Sequence, residues 1–97
     1  MRFECDEKKR AENIRKHGLD FADARQIFEA PMLVDMDKRE DYDETRFIGV
    51  GFLKNIIVVI VFTEPDAERI RVISLRKALK YERERFEEFI RNELDKT

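Results

Sequence analysis

The sequence predicts one α+β domain of two N-terminal helices, a four-stranded antiparallel sheet and a C-terminal helix. Three observations predict this class. The chain has 97 residues, the length of a single domain. Apolar residues recur at helical spacing towards both ends of the chain and at strand spacing in its middle. The connections between the predicted strands are short, so we expect neighbouring strands to run antiparallel.

The two N-terminal helices are predicted from their caps and their apolar spacing. Asp6 is a favourable N-cap for a helix over residues 7–16, and Gly18 suits the left-handed residue that ends it. The second helix starts at Asp20 and ends before Pro31, because proline disfavours helix at the preceding residue. One face of it carries four apolar residues: Phe21, Ala24, Ile27 and Phe28.

The middle of the chain has the alternation of apolar and polar residues that is typical of strands. Four strands are predicted, over residues 32–36, 45–52, 56–63 and 68–74. Residues 3–5 form either a short strand or an extended lead-in. The segment 37–44 is too polar to bury and is predicted to be a loop. The strand over residues 56–63 is apolar on both faces, which places it in the centre of the sheet.

The last predicted element is a helix over residues 76–94. Its inner face carries apolar residues at helical spacing: Leu79, Phe86, Phe89 and Ile90. Earlier in the chain, turns at 54–55 and 64–67 join the last three predicted strands. Gly49 and Gly51 lie within a predicted strand, where glycine indicates close packing or a bulge.

Composition excludes several classes of protein. The longest apolar run, residues 56–62, is far shorter than the roughly 20 residues that span a bilayer. Charges begin at Arg2 and leave no apolar core of signal-peptide length, so we expect a soluble, cytoplasmic protein that does not bind membranes. Cys5 is the only cysteine, which excludes an intramolecular disulfide and a cysteine-based zinc site.

The net charge of −2 hides a separation of charge along the chain. Residues 35–44 carry six acidic side chains against two basic ones, whereas residues 69–85 carry seven basic side chains against two acidic ones. The local field, more than the net charge, attracts a polyanion. The basic segment is therefore suited to bind phosphate groups, and the rest of the chain is not.

Within the basic segment, the predicted secondary structure brings cations together. Alternation along a strand puts Arg69 and Arg71 on one face of the sheet, away from the core. Residues 74–77 then fall at the predicted junction between strand and helix. Backbone N–H groups at a helix N-terminus, with a cation nearby, bind anions, so this junction is a candidate anion site.

The predicted C-terminal helix carries further cations on one face. They are Arg76, Lys80 and Arg83, with Lys77 beside them. These side chains form either part of a site for phosphate groups or a solvated helix face on which Glu82 and Glu84 pair with them locally. The residues alone leave both interpretations open.

Two other features have both a functional and a structural interpretation. His17 is the only histidine, and histidine is the side chain that titrates near neutral pH, but it also ends a helix, where the dipole favours a cation. The acidic residues between positions 35 and 43 supply the oxygen atoms that divalent ions prefer, but they lack the spacing and the glycine of an EF-hand. We therefore predict a solvated loop there and no metal site.

The sequence resembles the BrnT toxins over nearly its whole length. Its N-terminal part carries Asp6-x-x-Lys9-x-x-x-Asn13-x-x-Lys16-His17-Gly18 and then Leu19-x-Phe21-x-x-Ala24. Two strand motifs of the family are similar to Arg46-Phe47-Ile48-Gly49 and Phe62-Thr63-Glu64. The most specific similarity is to Ile70-Arg71-Val72-Ile73-Ser74-Leu75-Arg76-Lys77-Ala78, followed by Glu82-Arg83.

The resemblance implies a RelE-like fold and an endoribonuclease toxin that arrests translation, one half of a type II toxin–antitoxin system. It implies a BrnA-like antitoxin that holds the toxin inactive. That antitoxin's ribbon-helix-helix domain would bind operator DNA, with the toxin as co-repressor. The implied cleavage uses the RNA's own 2′-OH as nucleophile and needs no metal or other cofactor. All of residues 1–97 would then form one toxin domain.

The resemblance also implies roles for individual residues. Arg46, Arg71 and Arg76 fit the cations that stabilise a phosphorane as its charge develops. Glu82 and His17 are the candidates for proton transfer. We expect five further residues to bind the RNA: Lys16, Ser74, Lys77, Lys80 and Arg83.

Four positions depart from the family's pattern, and one of them is Leu79, which follows Ala78 where the family has Thr or Ser. Cys5 stands where many members have Trp, Pro65 where they have Arg, and Phe86 where they have Tyr. If the family's tyrosine donates a proton, Phe86 cannot do so. The alternative function is therefore a catalytically degenerate toxin that binds its antitoxin and acts as co-repressor. A free-standing nucleic-acid binder is disfavoured by the acidic net charge.

Overall fold

The computed structural model describes residues 1–95, so the last two positions of the predicted domain lie outside the described residues. The elements follow one another in this order: β1 (Arg2–Cys5), α1 (Glu7–His17), a 3₁₀ turn (Phe21–Asp23), α2 (Ala24–Phe28), β2 (Leu33–Met36), β3 (Arg46–Leu53), β4 (Ile56–Asp66), β5 (Arg69–Lys77) and α3 (Lys80–Asp95). The α+β class is confirmed.

The sheet has five strands in the order β1-β5-β4-β3-β2. β1 runs parallel to β5, and every other neighbouring pair is antiparallel. The predicted four-stranded antiparallel sheet is therefore wrong by one strand, because residues 2–5 pair with the first half of β5 instead of forming a lead-in. The expected RelE-like arrangement is correspondingly not matched in detail. β4 does lie at the centre of the sheet, as its two apolar faces predict.

Three predicted boundaries also differ from the structure. The second helix is a 3₁₀ turn followed by only five α-helical residues, Ala24–Phe28. β4 continues to Asp66 through the predicted turn, and a pairing irregularity between Thr63 and Asp66 accommodates Pro65. β5 continues to Lys77, so residues 74–77 pair with β4 rather than starting a helix.

The core lies between one face of the sheet and the N-terminal helical segments. Phe21, Ala24 and Ile27 pack there against alternate residues of β4 and β5. A Cβ on Gly51 of β3 would lie 2.9 Å from Cγ2 of Ile27, so the glycine lets α2 approach the sheet closely. Close packing is thus the confirmed interpretation of this glycine. On the opposite face, α3 docks through Phe86, whose side chain is fully buried.

Asn13 links α1 to β5 by making the backbone hydrogen bonds that a neighbouring strand would otherwise make. β1 pairs with β5 only as far as Val72, which leaves the next part of that edge of β5 without a strand partner. The buried Asn13 amide completes it: Nδ2 donates to the Leu75 carbonyl (2.8 Å), and the Leu75 N–H donates to Oδ1 (3.1 Å). Nδ2 also donates to the Leu19 carbonyl at 3.0 Å. One side chain therefore satisfies both polar groups of a buried strand residue.

We expect Asn13→Ala to lower the free energy of unfolding by about 2–4 kcal/mol, because it leaves the N–H and C=O of Leu75 buried without partners. The measurement is urea denaturation of both proteins. Glu12→Ala is the matched control, since Glu12 is exposed and forms only a 3.5 Å ion pair with Arg15 on the helix surface. A loss in Asn13→Ala no larger than that in the control would contradict this role.

Candidate functional site

The candidate site lies on the sheet face opposite the core. Cross-strand pairing aligns Glu4 of β1, Arg71 of β5, Thr63 of β4 and Arg46 of β3 in one row. Side chains directly opposite one another in a sheet project from the same face. Two of the predicted cationic residues, Arg46 and Arg71, are thus brought together from strands that are distant in sequence.

A β-bulge in β5 extends this site towards α3. Val72 pairs with Phe62 and Ser74 with Val61, so Ile73 is an extra residue in the ladder. In a regular strand, Arg71 and Arg76 would face opposite sides because five positions separate them. The extra residue corrects the alternation, as bulges do, and places Arg71, Ser74 and Arg76 on one face.

Arg71 lies in a surface cleft of about 450 Å³ and is paired with carboxylates. Its Nη2 and Nε donate to Oε1 of Glu4 at 2.9 and 3.2 Å. Its Nη1 lies 3.7 Å from Oε1 of Glu44. Lys9 and Arg46 also line the cleft. Three cations therefore converge on one opening, and three carboxylates, those of Glu4, Asp6 and Glu44, line it with them.

Arg46 has a different environment from Arg71. Its guanidinium carbon lies 4.1 Å from the centroid of the Tyr42 ring. Its Nε is buried without a hydrogen-bond partner among the described residues, and so is Oγ1 of Thr63, its neighbour across the strands. Within the described part of the chain no carboxylate oxygen lies within 4 Å of Arg46.

Asp37 is the site residue that the sequence prediction placed wrongly. Its carboxylate has no exposed surface, although segment 37–44 was expected to be solvated. Arg39 donates to it from its backbone N, Nε and Nη2, and the Tyr42 hydroxyl donates at 3.1 Å. The hydrogen bonds from Arg39 hold the pKa of Asp37 well below its ordinary value. Burial of the carboxylate acts in the opposite direction but has the smaller effect. The carboxylate thus stays ionised and fixes the loop.

Arg76 forms the second half of the site and joins β5 to α3. Its two Nη atoms donate to the two carboxylate oxygens of Glu82, both at 2.8 Å. Oε1 of Glu82 also accepts the backbone N–H of Leu79, the residue before α3, at 2.7 Å. This is the backward half of a capping box. The Arg76 hydrogen bond lowers the pKa of Glu82, so this carboxylate is ionised at neutral pH.

His17, Lys16, Lys77 and Arg76 line a common surface cleft of about 560 Å³. α1 ends at His17, and Gly18 follows in a left-handed conformation (φ 68°). The strand end at Lys77 lies against this helix end. The structure therefore brings the only histidine to Arg76, one of the three arginines whose catalytic role the family resemblance implies, although 59 positions separate them in the chain.

The predicted helix face of Arg76, Lys80 and Arg83 is wrong. Arg76 belongs to β5, so it does not share a helix face with the other two. Lys80 is exposed and lies 4.0 Å from Glu84, as the alternative of local pairing predicts. Arg83 donates to the Ala78 carbonyl at 3.0 Å. The candidate anion site at a helix N-terminus over residues 74–77 is likewise wrong, because these residues are strand.

This arrangement defines a class of protein. The sheet face opposite the core, which we call the open face where α3 does not cover it, carries arginines from β3 and β5, with a histidine at one end. No group of acidic, histidine or cysteine side chains among residues 1–95 is placed to hold a metal ion. Arginine forks match phosphate oxygens, so the class is a small α+β domain whose arginines suit it to bind phosphate groups. None of the helices in residues 1–95 has the length and apolar character to cross a membrane.

Comparison with known proteins identifies the family. The sequence-family model for the ribonuclease toxin BrnT of type II toxin–antitoxin systems matches residues 5–82. The fold is similar to the 1.1 Å crystal structure of the Brucella abortus ribonuclease toxin BrnT, with a TM-score of 0.64 and 33% identity over 82% of this chain and 99% of that one. A comparison with curated proteins gives no match. The chain belongs to the BrnT family of ribonuclease toxins.

Proposed function

We propose that this chain is an active endoribonuclease that cleaves RNA without a metal ion, arrests translation in the cytoplasm and is neutralised by a BrnA-like antitoxin. The observation that carries the proposal is the bulge at Ile73, which aligns Arg71, Ser74 and Arg76 on the open face beside Arg46. Arg71 and Arg76 pair with residues of β4 that are four positions apart, so they lie roughly 13 Å apart along the sheet at about 3.3 Å per residue, more than a single phosphate group spans. Such a row suits a single strand of RNA.

The proposed reaction is transfer of a phosphoryl group within the RNA. The 2′-oxygen loses its proton to a base and attacks the adjacent phosphorus, and the bond to the 5′-oxygen breaks. The products are a 2′,3′-cyclic phosphate and a 5′-hydroxyl, which takes up a proton. Negative charge builds on the phosphoryl oxygens in the transition state, and fixed guanidinium groups stabilise it there.

The geometry supports a distinct role for each candidate. Arg76, held at both Nη atoms by Glu82, is a fixed cation beside the histidine. Glu82 orients Arg76 rather than moving a proton, because its lowered pKa keeps it ionised and its oxygens already accept three donors. His17 then transfers the proton, since it lines the same cleft. Arg46 and Arg71 stabilise the charge on the phosphate.

RNA contacts beyond the reacting phosphate are proposed on both sides of Arg76. Ser74 lies on the same face of β5, and Lys16 and Lys77 line the cleft with His17. Lys80 and Arg83 are exposed at the start of α3 and would act more weakly, through long-range attraction to the backbone.

The proposed partner is an antitoxin with a ribbon-helix-helix domain. An acidic antitoxin segment would complement the arginine row and block access of RNA to it. Operator DNA would then be bound by the antitoxin, with this chain as co-repressor.

The proposal is tested with purified protein and total RNA, with and without EDTA. We expect cleavage that survives EDTA and leaves 2′,3′-cyclic phosphate ends. An oligonucleotide with a 2′-deoxy sugar at the cleaved position should remain intact, since it lacks the nucleophile. Cleavage that stops on addition of EDTA would contradict the metal-free mechanism.

One observation favours the second candidate, a catalytically degenerate toxin kept as a co-repressor. In the free chain, Glu4 accepts hydrogen bonds from Arg71, and Glu82 accepts hydrogen bonds from Arg76. RNA must therefore compete with these carboxylates for the two arginines. Intact RNA in every reaction, together with unimpaired growth on induction and tight antitoxin binding, would favour this function.

A further inference from the structure

The three arginines of the open face differ in how their hydrogen-bonding edges are occupied. Glu4 accepts from Arg71, and Glu82 accepts from both Nη atoms of Arg76. Arg46 instead lies against the flat face of the Tyr42 ring. A guanidinium that contacts a ring in this way keeps its Nη–H groups free for an oxyanion, although Nε of Arg46 is itself buried. Among these three, Arg46 is therefore held in place without a competing carboxylate.

Tyr42 is itself fixed by a buried anchor. Its hydroxyl donates to Oδ2 of Asp37 at 3.1 Å, and Asp37 is held by the backbone and side chain of Arg39. The backbone N–H of Asp37 donates to the carbonyl of Arg46 at 2.8 Å. Two hydrogen bonds therefore hold the loop between β2 and β3: one between the backbones of Asp37 and Arg46, and one from the Tyr42 hydroxyl to Asp37.

We infer that Tyr42 positions Arg46 to receive an RNA phosphate, and that Asp37 holds Tyr42 in that position. None of the segments that resemble the family's motifs lies in the loop between β2 and β3. The phosphate is the ligand assigned to Arg46, so the inference rests on the proposed function. In this account the loop between β2 and β3 is part of the binding site rather than a solvated connection. Tyr42 is a positioning residue and acts on the substrate only through Arg46.

The test separates positioning from activity by observing Arg46 directly. In ¹⁵N-labelled wild-type protein, we expect the Arg46 Nε–H to give a resolved signal with slow exchange and restricted motion. Tyr42→Leu should broaden or lose this signal, whereas Tyr42→Phe, which keeps the ring but loses the hydrogen bond to Asp37, should give an intermediate loss of order. Tyr81→Leu is the matched control, because Tyr81 is the only other tyrosine and is exposed on α3.

Cleavage kinetics on the same variants provide the second measurement. Tyr42→Leu should lower kcat by roughly 10- to 100-fold, since a misplacement of about 1 Å has effects of that order. Its KM for RNA should change far less, because the other cations remain. Tyr42→Phe, which loses only the hydrogen bond to Asp37, should have a kcat between those of Tyr42→Leu and the wild type, and Tyr81→Leu should match the wild type.

Each outcome bears on the inference. A freely moving Arg46 side chain in the wild type would overturn it without any variant, and so would an unchanged Arg46 signal in Tyr42→Leu. If the wild type cleaves no RNA, the proposed function fails, and 2′-O-methyl RNA then serves as the probe. A shift of the Arg46 signal on its addition, weakened in Tyr42→Leu, would support the inference in that case, and no shift would overturn it.

Discussion

Replacement of Arg76 by alanine is expected to reduce RNA cleavage by about 100- to 1,000-fold, the usual effect of removing one fixed donor from a developing oxyanion. Arg76 lies between the arginine row and His17, and Glu82 fixes both of its Nη atoms. No other described residue is held in this way beside the histidine. The measurement is the rate of single-turnover cleavage of a labelled oligonucleotide.

Two variants make this result specific. Arg76→Lys keeps the charge but replaces a planar fork by a point charge, so it should recover only part of the activity. Lys80→Ala removes an exposed cation whose nearest carboxylate, on Glu84, is 4.0 Å away, and it should cost no more than a few-fold. Equal losses in Arg76→Ala and Lys80→Ala would mean that the site depends on overall charge and not on this arginine.

Phe86→Ala should lower the free energy of unfolding by about 3–5 kcal/mol, as truncation of a fully buried aromatic residue usually does. Phe86 is completely buried beneath α3, and its ring lies 5.0 Å from that of Phe52, edge to face. A domain has roughly 5–15 kcal/mol in total, so this one change removes a large part of its stability. Urea denaturation measures it.

Tyr81→Ala is the control for Phe86→Ala, because Tyr81 lies on the same helix with its side chain exposed, and we expect its loss of stability to be small. Phe86→Tyr is also informative. A hydroxyl at a fully buried position needs a partner, so this variant should be less stable than the wild type and no more active. Higher activity in Phe86→Tyr would show that the family's tyrosine acts chemically at this position.

Much of the fold follows from local patterns in the sequence. The Asp6 cap accepts the backbone N–H groups of Lys8 and Lys9, and Gly18 ends α1, as their residue types predict. The central position of β4 follows from its apolar faces. These features depend on neighbouring residues along the chain, which a single sequence displays.

The errors come from pairing between distant segments. β1 has only four residues, and its parallel partner Arg69–Val72 is more than 60 positions away, so the local pattern leaves a strand or a lead-in open and cannot indicate the pairing. The end of β5 fits either period, since Leu75, Ala78 and Leu79 have helical spacing while Leu75 also continues a strand. Pairing of residues 74–77 with β4 decided in favour of the strand.

The candidate site was only partly predictable for the same reason. Arg46, Arg71 and Arg76 were named from the sequence, but the bulge at Ile73 that aligns two of them has no signature in an apolar run. Asp37 and Tyr42 were missed because segment 37–44 is rich in acids, and that composition usually indicates solvated loop. The one available signal was Tyr42, a lone aromatic residue within that acidic segment.

The central claim, that this BrnT family member is an active toxin whose chemistry lies on the open sheet face, is tested most directly by induction in bacterial cells without antitoxin. Wild-type protein should stop growth and protein synthesis, while Arg76→Ala, accumulated to the same level and able to bind the same antitoxin, should not. Unimpaired growth with the wild type, or equal arrest by Arg76→Ala, would contradict the claim.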